Sequence, residues 1–159
     1  MGSTAGLAGV VTADTIRARI AVTSWEEAVR ASGELLVRAG ACEPPYVEAM
    51  EQAVRDLGPY IVLAPGVAMP HARPEAGVVR PGIAVVTLDT PVPFGHAAND
   101  PVDLVIPFAA VDKDAHLATL QRLVALLQDQ TALDRVREAT TDEELCTALG
   151  LEAQDTQTN

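Results

Sequence analysis

From Ile16 to Val22, apolar Ile16, Ala18, Ile20 and Val22 alternate with polar positions that include Arg17 and Arg19. A period of two predicts a strand with one buried face. The period then lengthens. Trp25, Ala28, Val29, Leu35 and Leu36 make a helical stripe, opened by Ser24 with Glu27 in the capping-box position and stopped by Gly40. A second helix is predicted to start at Pro44-Pro45, where a missing N–H costs little. Val47, Met50, Val54 and Leu57 form its inward face, and Gly58-Pro59 ends it.

Three short apolar runs follow: Tyr60 to Ala64, Gly82 to Leu88, and Val102 to Phe108. Each is rich in Val and Ile and bounded by Pro or Gly, the pattern of buried strands. The connections between them, Pro65 to Pro81 and Asp89 to Pro101, are long and proline-rich, a feature more common in working loops than in simple linkers. Beyond them the chain turns helical again. Asp112 or Asp114 caps a predicted helix carrying Leu117, Leu120, Leu123, Val124 and Leu127; a short segment from Ala132 to Ala139 follows; Thr141 and Glu144 form a second capping box ahead of Leu145 and Leu149. Strand, helices, strands, helices, without a repeat, predicts a single α/β domain whose small mixed β-sheet is flanked by α-helices. The expected boundaries are a flexible or partly ordered N-terminus over 1–13, the domain over 14–150, and a polar tail over 151–159.

Composition narrows the possibilities. At 159 residues and 48% hydrophobic content the chain can bury a core, and with 3% aromatics that core is aliphatic. Acidic residues outnumber basic ones 22 to 11, for a formal charge of −11. Such a surface repels nucleic-acid phosphates and anionic lipid and favours a basic protein partner, so neither nucleic-acid binding nor membrane insertion is expected. The first residues have an apolar character but no basic region before it, and no stretch reaches the length of a membrane span, so the expected location is cytoplasmic. Cys42 and Cys146 stand far apart in unlike contexts. Without a C-x-x-C pair they read as reduced, buried thiols.

Candidate chemistry gathers on the histidines. The segment Ala64-Pro65-Gly66-Val67-Ala68-Met69-Pro70-His71-Ala72-Arg73-Pro74-Glu75 leaves a predicted strand and places His71 between two prolines. Each proline has a fixed φ and pushes the residue before it toward extended geometry, so the loop is stiff and holds the imidazole at one angle. Arg73 adds a forked cation suited to an oxyanion. On local chemistry alone, an incidental polar histidine in a surface loop fits as well. His116 falls in the first turn of a helix that follows a strand end, where free N–H groups and the helix dipole favour an anion. It reads equally as a solvated first-turn residue. His96 lies in Phe94-Gly95-His96-Ala97-Ala98-Asn99-Asp100, which is explained as a turn. Asp100 and Asp103 flank Pro101, where carboxylates commonly accept backbone N–H bonds. No H-x-x-x-H, H-E-x-x-H, G-x-S-x-G, P-loop or G-x-G-x-x-G pattern is present, so no metal and no cofactor is expected. A metal-dependent hydrolase built on His71, His96 and His116 is the competing chemical reading, and it predicts bound zinc.

Taken in order, these segments resemble the IIA components of the bacterial phosphoenolpyruvate-dependent sugar phosphotransferase system (PTS), of the mannitol/fructose class and most closely its ascorbate-specific branch. The likeness rests on Gly58-Pro59-Tyr60, on Ala64-Pro65-Gly66 leading into Ala68-Met69-Pro70-His71 and Arg73-Pro74-Glu75, and on Val86-Thr87-Leu88. It continues through Asn99-Asp100-Pro101-Val102-Asp103 and Ala109-Ala110-Val111-Asp112 to His116, with weaker echoes at Trp25, Ala28-Val29 and Pro45-Tyr46. It spans roughly residues 14 to 150. The resemblance implies a phosphotransferase relay in a free-standing IIA. His71 takes the phosphoryl group, His116 lies beside it and steadies that group, and Arg73 is an accessory cation. The implied donor is phospho-HPr, charged by enzyme I. The implied acceptor is a cysteine of a IIB component, which serves the membrane IIC component. A IIA-like regulatory phosphoprotein that binds a transcription factor or kinase would keep the same histidine.

Overall fold

The computed structural model describes residues 11–151, so the expected ends over 1–10 and 152–159 lie outside the described residues. Thr12 caps a single helical turn over Ala13–Thr15 that leads into strand β1, Ile16–Ile20. Helices α1, Trp25–Arg38, and α2, Pro44–Leu57, come next. Six short strands follow: β2, Val62–Ala64; β3, Val67–Ala68; β4, Gly82–Ile83; β5, Val85–Val92; β6, Val102–Val105; and β7, Phe108–Ala109. The described chain ends in α3, Lys113–Leu127, α4, Gln130–Glu138, and α5, Asp142–Ala148.

Five strands form a mixed sheet in the order β1-β5-β6-β3-β2. β1 runs parallel to β5 and β3 parallel to β6, whereas the β5–β6 and β2–β3 pairs are antiparallel. β4 and β7 form a separate antiparallel pair. Strand alternation sends neighbouring residues into opposite cores. Ala68, Val86 and Val105 pack with Leu36, Met50 and Val54 of α1 and α2. Val67, Val85 and Leu104 pack with Leu123, Leu126, Val136 and Leu145 of α3, α4 and α5. The predicted architecture, a small mixed sheet between helices, is therefore the observed one, as three layers.

The local signals work through identifiable bonds. Ser24 Oγ accepts the Glu27 N–H at 3.2 Å and Thr141 Oγ1 accepts the Glu144 N–H at 3.1 Å. In both boxes the returning carboxylate bonds one residue earlier than expected, to Thr23 and Thr140, where it takes the backbone N–H and the hydroxyl together. Gly40, at φ 79°, ends α1. Asp112 rather than Asp114 caps α3, accepting the Ala115 N–H at 2.8 Å.

Three expectations are corrected. Leu57 does not face inward: it is 70% exposed, because the last turn of α2 borders the cleft described below rather than the sheet. On α3, Leu123 and Leu126 are buried while Leu117 and Val124 lie open to solvent. Apolar residues occupy more than half of that helix's circumference, so spacing alone does not single out the packed stripe. The run from Gly82 to Leu88 is two strands, β4 and β5, and the loop beginning at Pro65 contains β3, too short to give a periodic signal. Cys42 and Cys146 are both buried, and burial pushes the Cys42 thiol up to about 11. A thiol with so little thiolate is inert.

Candidate functional site

The segment Val67–Ala68 pairs with β6, and the ladder continues into the loop beyond it: Ile106 N–H donates to Ala68 O at 2.8 Å and Phe108 N–H to Pro70 O at 3.1 Å. The loop therefore leaves the sheet still tied to the chain beside it. Its next residue is His71, half-buried, at the wall of an open cleft of about 1330 Å³. α2 contributes Gln52, Asp56 and Leu57 to that cleft, the His71 loop contributes Arg73 and Glu75, and the start of α3 contributes Lys113 and His116.

The imidazole of His71 is oriented from within its own loop. Nδ1 lies 2.8 Å from Met69 O. A carbonyl oxygen only accepts, so Nδ1 carries the proton and Nε2 of the neutral ring carries the lone pair. Burial holds the His71 pKa below the ordinary histidine value, the Met69 carbonyl opposes this by favouring the cation, and the nearby charge of His116 adds to the lowering. At neutral pH the ring is therefore neutral, with one nucleophilic nitrogen of fixed identity.

Rings surround it on three sides. Phe108 lies 4.8 Å away, centroid to centroid, as a tilted floor. His116 stands edge-on at 5.0 Å and 73°, and Tyr60 edge-on at 5.7 Å and 85°. His116 also packs on Phe108 at 5.2 Å, so one buried phenyl ring supports both imidazoles. Its backbone N–H bonds to Asp112 O inside α3, which fixes the helical turn that carries the ring. Arg73 is exposed at the cleft rim, where it starts the short turn Pro74–Ala76, and makes no ion pair among the described residues. A nucleophilic imidazole with a second imidazole beside it, a buried phenyl floor and a helix N-terminus at the rim can accept an electrophilic anion and stabilise it once bound.

The structure thus brings together His71, His116 and Arg73, and leaves His96 outside. His96 Nδ1 accepts the Ala98 and Asn99 N–H groups at 3.2 and 3.1 Å, closing its own turn. Asp100 behaves as expected of a strand-entry carboxylate, accepting the Phe94, Gly95 and His96 N–H groups. Asp103 instead pairs with Arg137 at 3.1 Å. Among the described residues no three His, Cys, Asp or Glu side chains gather where a metal ion would be held, so the three-histidine zinc reading has no ligand set. No helix among them is long and apolar enough to cross a membrane.

Sequence reasoning did not select Tyr60, Phe108 or Tyr46 as parts of the site, although three of the chain's five aromatic residues lie there. Scarcity was the available signal. In a chain with an aliphatic core, aromatics concentrated at strand and helix starts beside a histidine loop stand out from the background.

Known proteins share both sequence and fold. The family model described as "Phosphoenolpyruvate-dependent sugar phosphotransferase system, EIIA 2" matches residues 10–150. The chain is 45% identical over 132 residues to the "Ascorbate-specific PTS system EIIA component" of Shigella boydii serotype 4, covering 82% of this chain and 86% of that protein. The crystal structure of IIA mannitol from Escherichia coli superposes with a TM-score of 0.75 at 32% identity, covering 86% of this chain and 96% of that one. A complex of enzyme IIAMTL with phosphorylated enzyme IIBMTL from Escherichia coli gives 0.74 at 30% identity, covering 86% and 94%. With nearly its whole described length matched, and the expected histidine pair in contact, the chain belongs to the EIIA 2 family of the phosphoenolpyruvate-dependent sugar phosphotransferase system.

Proposed function

We propose that this chain is the phosphocarrier of an L-ascorbate or related sugar phosphotransferase system, taking a phosphoryl group from phospho-HPr on His71 Nε2 and passing it to a cysteine of a IIB partner. The observation that carries this reading is the Met69 carbonyl bond, which leaves Nε2 as the lone-pair nitrogen at the cleft wall. In the first step the Nε2 lone pair forms the N–P bond while the donor's bond to phosphorus breaks and its electron pair returns to the donor. Nδ1 keeps its proton, so the product ring is cationic, and Met69 O stabilises that charge. In the second step a IIB thiolate attacks phosphorus, and the N–P pair returns to Nε2. No proton moves on Nε2 in either direction.

Phosphoryl transfer passes through a loose transition state with charge on three equatorial oxygens, so positioning and electrostatics do most of the work. His116, beside His71 and on the same phenyl floor, is the donor to those oxygens, and Arg73 at the rim is an accessory cation. The ascorbate assignment draws on the Shigella relative's name, and the IIB partner on the mannitol IIA–IIB complex. Membrane IIC is reached only through IIB.

The test is incubation with enzyme I, HPr and labelled phosphoenolpyruvate, followed by addition of IIB. Label is expected on the wild-type chain, absent from His71→Ala, and chased onto IIB. Equal labelling of wild type and His71→Ala would overturn the reading.

A further inference from the structure

Tyr46 lies in the first turn of α2 and is 1% exposed. Its hydroxyl sits where two segments of chain meet beneath His71. Oη accepts the Ala72 N–H at 3.0 Å and donates its proton to Phe108 O at 2.9 Å, with Ala72 O a lesser partner at 3.2 Å. Phe108 N–H in turn donates to Pro70 O at 3.1 Å. These bonds close a ring. Pro70 and Ala72, the residues either side of His71, are both tied to Phe108, one directly and the other through the Tyr46 oxygen. Phe108 is also the residue on whose phenyl ring both imidazoles rest.

The far end of the loop is anchored on the same helix start. Glu43 N–H donates to Gly77 O at 2.9 Å, and a Cβ on Gly77 would lie 3.3 Å from Tyr46 Cβ and from its backbone nitrogen. A phenol placed only to fill the core needs a single partner for its hydroxyl. This one uses both donor and acceptor, and each bond reaches either a neighbour of the reactive histidine or the backbone of its floor.

We propose that Tyr46 is a positioning residue for phosphoryl transfer, its hydroxyl holding the His71 loop at the angle at which Nε2 meets phosphorus in line. The proposal rests on the phosphocarrier reading of His71. Tyr46→Phe isolates the effect, because the ring volume is kept while the Ala72 N–H and the Phe108 carbonyl lose their partner.

The experiment is rapid-quench transfer from phospho-HPr over a range of donor concentrations, with amide hydrogen exchange at Ala72. The comparison variant is Val136→Ala, in the opposite core, with assay temperatures chosen so that the two variants have equal folded fractions. Tyr46→Phe is expected to lower the saturated rate by about tenfold or more, since small misplacements of reacting atoms are costly. Half-saturation stays unchanged, because no docking side chain is altered. Ala72 is expected to lose its protection, and Val136→Ala to transfer at the wild-type rate. A Tyr46→Phe rate equal to wild type, or lowered no more than that of Val136→Ala, overturns the proposal. Where Tyr46→Phe does not fold, the wild-type protein decides: an Ala72 amide that exchanges like an open surface amide also overturns it. A wild-type chain that takes no label fails the reading of His71 instead, and the Ala72 exchange still tests the hold of Tyr46.

Discussion

Truncation of His116 to alanine separates assistance from mere proximity. The two imidazole centroids lie 5.0 Å apart at 73°, so a phosphoryl group on His71 Nε2 would come within reach of a His116 N–H. A hydrogen bond to a charged group contributes about 1.5–3 kcal/mol, equivalent to a factor of roughly ten to a hundred in rate. Only the part of that bond that strengthens in the transition state accelerates transfer, so the lower end of the range, about tenfold to thirtyfold, is the expected loss. The same truncation has an effect that needs no phosphate. The charge of His116 and the burial it provides both lower the His71 pKa, so His116→Ala is expected to raise it. Rapid-quench transfer from phospho-HPr measures the first effect, and an NMR titration of the His71 ring measures the second. His116→Gln, which keeps an N–H donor without the charge, is expected to transfer at an intermediate rate. A His116→Ala protein that transfers within twofold of wild type, with an unmoved His71 titration, would refute the assigned role.

Because the folded His71 pKa lies below its unfolded value, the unfolded chain binds more protons between the two, and stability rises with pH across that window. The contribution is complete above the unfolded value of about 6.5 and is lost as pH falls through it toward the folded value. Urea midpoints between about pH 5 and 7.5 should therefore fall on acidification more steeply for wild type than for His71→Gln; parallel curves would contradict the burial argument. Gly66 stands at φ +75°, where an added Cβ would come within 2.8 Å of Arg137 Nη2 and 3.0 Å of Asp103 Oδ1. Gly66→Ala combines a left-handed backbone with displacement of a guanidinium that also bonds Pro65 O, and is expected to cost about 2 kcal/mol, or roughly 4–8 °C in Tm. A Tm within 1 °C of wild type would show that the loop relaxes freely.

Much of the architecture was legible because it is written in local patterns. Ser24, Thr141 and Gly40 marked helix ends through bonds that their side chains or backbone make within a few residues. The alternation from Ile16 marked β1, but its single buried face did not hold: a register shift between Arg17 and Ile20, with Arg19 at φ 57°, turns Ile20 and Val22 into the opposite core from Ile16 and Ala18. What stayed hidden depends on tertiary placement. β3, at two residues, exists only because β6 and β2 lie on either side of it. Leu57 fits the α2 stripe and still faces solvent, since the stripe continues past the end of the surface it packs against. The site divides in the same way. Two prolines around His71 announce a stiff loop, whereas the proton on Nδ1 is set by a backbone carbonyl, which is common to every residue and leaves no trace in composition. Tyr46 and Phe108 are separated by 62 positions, and nothing local in either marks their bond.

A phosphoryl relay must also let go. The cleft around His71 carries Arg73 and Lys113 as cations and Asp56, Glu75 and Asp112 as anions, so its walls sum to −3 + 2, or −1. Tight phosphate sites converge several forked cations on the anion. Here the group would be held chiefly by a neighbouring imidazole and a helix N-terminus, in a chain whose formal charge is already −11. At physiological salt, charges beyond about 8 Å are screened, so the acids of the cleft matter more than the distant surface. Their proximity would raise the energy of a phosphorylated His71. The buried ring of Phe108 would limit water on one side of an N–P bond at His71 without adding positive charge. On the phosphocarrier reading, such a site would keep transfer to the next nucleophile close to energetically level, as a relay requires. An added cation, as in Glu75→Arg, would on this argument strengthen phosphoryl retention and slow the onward step to IIB, separating what binds phosphate well from what carries it well.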